Sequence, residues 1–447
     1  MKSYFDSIPV RRKKLLIAFL LLAFIFRLGF GLCSEFWLED EKQTFLIGLK
    51  FYATGEWPYF GPDVDYPKII QQPGALQGLL VGLPFFLLPA PEAPFLLLNL
   101  LSFFSLAFFA WYCTKRLPEL PEWFVWAWLM TAPWTLNYST HVVNLSYLLP
   151  GSILFFIGVI ETYPPLSKNL IPLGWANFLM GLALFWVMQF HMSWVILPPY
   201  VLASFYFQYR TQRQGFFSSL LWFALGAVLG GCLLLPTFYQ YGLREGAGGT
   251  EATIGFNAAN LWKIYDLPEG IIGRFLSFAS FELPRFVGNN TAKRLAFFAQ
   301  QPWLIPFGLF LLVVGIIQPI AMSILWFSKK HPREDWKAVK YFTLSTICLL
   351  YLIFLFAKDK PPSAHAYYVT LPVAMIYSFY CWSRFLHRRN WQTFATVVIA
   401  CGVIFHAGLA LNNFFSKSLY INRNLPQSAI AAENYHLLGE RRPGARY

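Results

Sequence analysis

Charge is what this sequence has least of. Asp, Glu, Lys and Arg make up 13% of its 447 residues, where a soluble domain carries about 25%. That scarcity excludes a soluble globular enzyme and a charge-rich disordered chain. Acids are scarcer than bases: 22 Asp and Glu stand against 35 Lys and Arg, a net charge of +13. Cysteine is sparse too. Cys33, Cys113, Cys232, Cys348, Cys381 and Cys401 each lie in or beside an apolar run and form no CxxC pair. That excludes a disulfide scaffold and points to small buried hydrophobes rather than redox or zinc chemistry. No small-residue cleavage site follows the first apolar run, so that run reads as a retained membrane helix. The Gly246-Ala247-Gly248-Gly249-Thr250 stretch lacks the Lys-Ser/Thr ending of a P-loop.

What fills the space is apolar. Hydrophobic residues reach 57%, and 47 Phe and 17 Trp bring the aromatic share to 19%. A spanning helix needs about 20 mainly apolar residues. Such runs lie near 14–33, 94–113, 121–138, 145–162, 170–189, 193–209, 216–236, 303–327, 339–357, 366–384 and 391–411. A twelfth run, 74–90, is short and interrupted by Gly74, Gly78, Gly82 and Pro84. If it does not cross, Arg11–Lys14, Lys115, Arg116, Lys168, Arg210, Arg213, Lys329, Lys330, Arg333, Lys337, Lys340 and Arg384–Arg389 share one side, as cytoplasmic loops do. If it crosses, the bias collapses. The expectation is therefore about eleven crossings in an all-α polytopic protein. The N-terminus is then cytoplasmic, the C-terminus outside, and 74–90 an interfacial helix. Three long segments fall on the outer face: 34–93, 237–302 and the basic tail 412–447.

The first outer segment opens on Trp37-Leu38-Glu39-Asp40-Glu41-Lys42. Phe45, Leu46, Leu49 and Tyr52 follow at helical spacing, ending at Gly55. The acids then head a surface-lying helix, which favours the helix dipole and also offers carboxylates at the membrane plane. Between two later spans lie Lys358, Lys360, His365 and Tyr367. Two lysines in an outer loop oppose the charge bias, and ammonium groups bind phosphate as point charges. His141, Asn144 and His191 are polar groups at membrane edges, candidate ligands or hydrogen-bonded spectators. Asp63-Val64-Asp65 has the DxD pattern of some metal sites, a pattern common by chance. The second large loop supplies bases, among them Arg274 and Arg285, suited to an anionic head group or to solvated surface.

Two stretches together resemble the GT-C superfamily of integral-membrane glycosyltransferases, most of all the bacterial aminoarabinose transferases and protein-mannosyltransferase-like enzymes. One is Trp37 to Trp57, with its Asp-Glu pair and a helix ending at Gly55-Glu56. The other is Phe356 to Pro372, with paired lysines, a proline and a tyrosine. The resemblance implies one transmembrane glycosyltransferase domain over 1–447, in the inner membrane. It would move a hexose or pentose from a polyprenyl phosphate to a lipid, glycan or protein acceptor, outside and with inversion. Asp40 would be the general base and Glu41 would orient the acceptor or help bind a cation. Lys358 and Lys360 would hold the leaving phosphate, with Lys68 standing in where Gln72-Pro73 replaces the family's basic residue before the proline of its third interfacial helix. Asn144 stands where many relatives carry a second acid, so a divalent metal stays an open option and no cofactor is assigned. Membrane lipids are expected partners and nucleic acid is not. An O-antigen polymerase or ligase centred on Arg274 and Arg285 is the alternative within enzymes. A transporter or flippase is the alternative outside them.

Overall fold

The computed structural model describes residues 10–34, 39–65, 70–211, 213–249, 255–266, 268–281, 284–288, 290–329, 331, 333–358 and 364–417. The chain is an all-α polytopic membrane protein with one short β-hairpin. Backbone N–H and C=O groups find no water inside a bilayer, so apolar runs of this length fold as helices that satisfy their own hydrogen bonds. In chain order the elements are α1 (Val10–Ser34), α2 (Glu39–Thr54), β1 (Phe60–Asp65), β2 (Ile70–Pro73), α3 (Leu76–Leu87), α4 (Ala93–Arg116), α5 (Glu122–Thr131) and α6 (Pro133–Thr140). There follow α7 (Leu148–Thr162), α8 (Leu173–Met188), α9 (Pro198–Thr211), α10 (Phe216–Gly231), α11 (Leu235–Gly246), α12 (Thr291–Gln300), α13 (Ile305–Trp326), α14 (Trp336–Phe356), α15 (Leu371–Ser383) and α16 (Arg389–Lys417).

Each expected span coincides with helix. Among the described residues seven helical stretches are long and apolar enough to cross a membrane: Lys14–Ser34, Ala93–Arg116, Asn144–Thr162, Arg213–Gly246, Pro302–Trp326, Trp336–Phe356 and Arg389–Phe415. The other four expected spans are shorter or interrupted. One breaks at Ala132, between α5 and α6, because Pro133 has no N–H to continue the ladder. Arg27 of α1 covers the break. Its guanidinium donates to Met130 O at 2.9 Å, to Thr135 O at 3.0 Å and to Ser139 Oγ. Helix α3 has 12 residues, about 18 Å of rise, well short of a hydrocarbon core of about 30 Å.

The loops gather on two faces. One carries Ser34 against His141 (2.9 Å), Ala75 N against Leu233 O (3.4 Å), Gly255 N against Phe356 O (3.0 Å) and the His191 ring beside His365 (6.4 Å). This is the hairpin face. The other joins Arg333 to Glu119 (2.9 Å), Lys168 to Asp335 (3.2 Å) and Arg116 to Glu161 (3.9 Å). This is the basic face.

Two features differ from the sequence expectation. Gln72-Pro73 lies in strand β2 rather than in a helix. Strand β1 pairs antiparallel with β2, Phe60 opposite Pro73 and Asp63 opposite Gln71. Gly61 and Pro62 disfavour a strand there; the pairing is imposed by neighbours that clamp the hairpin. Gln71 N donates to Gly248 O at 3.0 Å, and Thr237 Oγ1 donates to Tyr59 O at 2.5 Å. Secondly, Cys232 and Cys348 are exposed, not buried, because they sit on helix surfaces turned away from the interior of the bundle.

Candidate active site

Helix α2 heads the site. Its first turn holds Asp40, which is exposed, and Glu41, which is half-buried. Carboxylates there face the positive end of the helix dipole. The helix stops at Gly55, whose φ of 70° suits glycine and whose N–H closes the last turn on Phe51 O at 2.9 Å. Helix α2 lies flat on α3 through a glycine contact: a Cβ on Gly82 would stand 2.6 Å from Gly48 O. That backbone-to-backbone seat fixes where the acids point. One turn on, Gln43 grips Asp63. Its Nε2 donates to Asp63 Oδ2 at 3.3 Å, and its Oε1 accepts from Asp63 N at 3.1 Å.

The hairpin face carries further candidates. Lys358 is exposed at the end of α14. Its carbonyl accepts from Asn257 Nδ2 at 2.8 Å, and Asn260 Nδ2 donates to Phe354 O and Ala357 O at 2.8 and 3.1 Å. Gly255 rests on its side-chain stem, where a Cβ would meet Lys358 Cδ at 3.4 Å. The second long loop thus holds the lysine in place. Arg274 lies near enough to Tyr367 for its charge to act on the buried phenol. His365 is exposed beside His191.

His141 and His191 are both buried. His141 Nε2 pairs with Ser34 Oγ at 2.9 Å, and burial pushes its pKa down to about 4, against a hydrogen bond that the ring gives to the Asn137 backbone. His191 Nδ1 accepts from Ser193 N at 3.1 Å; burial, then the neighbouring His365, bring its pKa to about 3. Both rings are neutral at pH 7 and hold loops together. Asn144 donates to Phe190 O at 3.4 Å, which ties it to the His191 loop. Among the described residues no group of three or more His, Cys, Asp or Glu is arranged to hold a metal ion. Lys68 and Lys360 lie outside the described residues, as do the side chains of Asp65 and Arg285.

Two groupings escaped the sequence reading. On the basic face Arg116, fully buried, lies between Glu161 (3.9 Å) and Asp335 (3.7 Å). Tyr112 donates to Glu161 Oε1 at 2.7 Å and Tyr380 to Asp335 Oδ2 at 2.6 Å. Burial raises the Asp335 pKa, but hydrogen bonds from Arg333 and Tyr380 and the Arg333 charge outweigh it and hold the carboxyl at about 2. The other grouping is a set of buried glutamines under the hairpin. The one available signal was the Gln71-Gln72 pair beside Pro73, a polar dipeptide just before an apolar run.

No known family profile matches the sequence, and no curated protein does. Among solved structures the chain is similar to the archaeal oligosaccharyltransferase AglB from Archaeoglobus fulgidus, determined with an inhibitory peptide and a dolichol-phosphate. Identity is 12% and the TM-score 0.43, over 92% of this chain and 57% of that one. The chain therefore spans little more than half of that protein's length. A likeness at this level establishes neither a shared fold nor a shared activity.

Proposed function

We propose that this protein is a membrane glycosyltransferase that takes a sugar from a polyprenyl-phosphate donor, outside the cytoplasmic membrane and with inversion at the anomeric carbon. The reading is supported by a helix that opens on Asp40 and Glu41 and is tied to the hairpin through Gln43, and by Lys358 and Arg274, each held by its own loop contacts. Together a carboxylate and a cation would supply both halves of the reaction. The Asp40 carboxylate accepts a proton from the acceptor hydroxyl as it attacks. The bond from the anomeric carbon to the phosphate oxygen breaks, and its electron pair leaves with the lipid phosphate. Charge on that phosphate grows in the transition state, so a fixed cation stabilises it more than the ground state. Glu41, half-buried behind Asp40, orients the acceptor. The acceptor is a lipid, glycan or protein.

The test compares wild type with Asp40→Asn in nanodiscs, following polyprenyl-phosphate sugars by mass spectrometry. Donor consumption should fall about a hundred- to ten-thousandfold, with donor binding retained. Equal turnover in both proteins would remove Asp40 from the mechanism.

A further inference from the structure

Helix α14 ends without a cap of its own. The last four carbonyls of an α-helix have no partner within it, and helices commonly close on a left-handed glycine that serves them. Here the chain turns extended at Ala357, and Lys358-Asp359-Lys360-Pro361-Pro362 follows in place of a glycine. Five consecutive carbonyls, from Phe354 to Lys358, are served instead by one distant segment, 255–260. Asn260 Nδ2 donates to Phe354 O at 2.8 Å and to Ala357 O at 3.1 Å. Asn257 N donates to Leu355 O and Gly255 N to Phe356 O, both at 3.0 Å. Asn257 Nδ2 donates to Lys358 O at 2.8 Å.

The segment fixes the direction of the lysine as well as its backbone. Asn257 Oδ1 accepts from Ala259 N at 3.0 Å, a local turn that leaves Nδ2 aimed at Lys358 O. Gly255 lies along the lysine stem: a Cβ there would stand 3.4, 3.6 and 3.7 Å from Lys358 Cδ, Cγ and Cβ. A lysine carries its charge on a flexible four-carbon stem, and ordering such a chain on a ligand costs entropy. A stem already seated leaves less to order, and a preset cation needs no reorganisation as charge grows on a phosphate.

The same stretch of chain is anchored on the hairpin. Gln71 N donates to Gly248 O at 3.0 Å, and Gly248, with a φ of 66°, leaves no room for a Cβ against Gln71 O. Gln43 of α2, the helix that carries Asp40 and Glu41, grips the hairpin in turn at Asp63. From Gly249 to Gly255 the chain can reach at most about 20–22 Å. The clamp on α14 is therefore tethered within that reach of the hairpin that α2 holds. We propose that Gly255, Asn257 and Asn260 are positioning residues for Lys358, holding its backbone and stem so that the ammonium group stands fixed for the leaving phosphate. The inference rests on the glycosyltransferase reading of Lys358.

The test reads kinetics in nanodiscs, with undecaprenyl-phosphate glucose, galacturonate and 4-amino-arabinose as donors and a membrane lipid extract as acceptor. For the donor that wild type consumes best, Asn257→Ala should lower kcat per folded molecule about three- to tenfold and raise KM by less, since a misplacement of about 1 Å can cost about a hundredfold. Gly255→Val crowds the lysine stem and breaks no hydrogen bond. It should give the same split, and it serves should the first variant not fold. In a Lys358→Met background neither substitution should lower kcat further. Equal losses with and without the lysine would overturn the inference, because the clamp would then act on the fold and not through Lys358. A lowered unfolding midpoint at unchanged kcat would overturn it too. Turnover by Lys358→Met at the wild-type rate would remove both lysine and clamp from the reaction and leave sugar transfer standing. No consumption of any donor by wild type would sink the glycosyltransferase reading and this inference with it.

Discussion

The two faces of the molecule treat polar side chains in opposite ways. On the basic face, charged groups pack against opposite charges: Arg116 beside Glu161 and Asp335, Asp335 with Tyr380, Arg333 and Lys168. On the hairpin face Asp40, Lys358 and His365 are exposed, and amides stay unpaired beneath the hairpin. The same chain builds both, so the contrast is one of purpose. Opposite charges packed together brace helices. Lys358, held through its backbone carbonyl by Asn257, keeps its side chain at the surface.

Four perturbations separate brace from site. The largest should be Arg116→Met. It leaves Glu161 and Asp335 buried without their cation and should cost about 3–5 kcal/mol of stability, read by thermal unfolding in detergent, with turnover per folded molecule unchanged. A loss of turnover at full stability would erase the contrast. Next comes Lys358→Met, which should lower kcat/KM about ten- to a hundredfold at constant unfolding midpoint. Acidification should follow. His141 and His191 have folded pKa values depressed to about 4 and 3, so the unfolded chain binds protons that the folded one refuses. Their contribution is intact above pH 6.5 and lost as pH falls toward those values, by up to about 1.4 kcal/mol per pH unit for each ring. The slope should shrink in His191→Asn; an unchanged slope would place the sensitivity elsewhere. The smallest effect belongs to Glu119→Gln. Its bridge to Arg333 is part-exposed, and such pairs are worth about 0–1 kcal/mol, so the unfolding midpoint should barely move.

The spans were legible because a bilayer demands one thing of a helix, an apolar run of sufficient length. The grouping of loops was legible because lysine and arginine report it residue by residue. The start and stop of α2 could be read from Asp40, Glu41 and Gly55. The hairpin could not. Phe60-Gly61-Pro62-Asp63 carries no strand signal, and its pairing depends on Gly248 and Thr237, which lie far along the chain. The Arg116 network joins residues from distant segments, and each looks like an ordinary loop-end charge when read alone. Glutamine carries neither charge nor strong hydropathy, so Gln77 and Gln189 leave no mark on any sequence pattern. Their burial appears only in the fold.

Arg27 has a consequence for how the protein is made. Its acceptors on the broken helix lie 103 and 108 residues further along the chain. At about 5–20 residues per second, the ribosome delivers them roughly 5–20 seconds after α1 has emerged. Through that interval the first helix carries a guanidinium in an otherwise apolar run, at a cost on the order of 2.5–3.5 kcal/mol if it settles alone in lipid. The first described helix therefore reaches its settled place only once the break at Ala132 has followed it, while most of the bundle is still to be made.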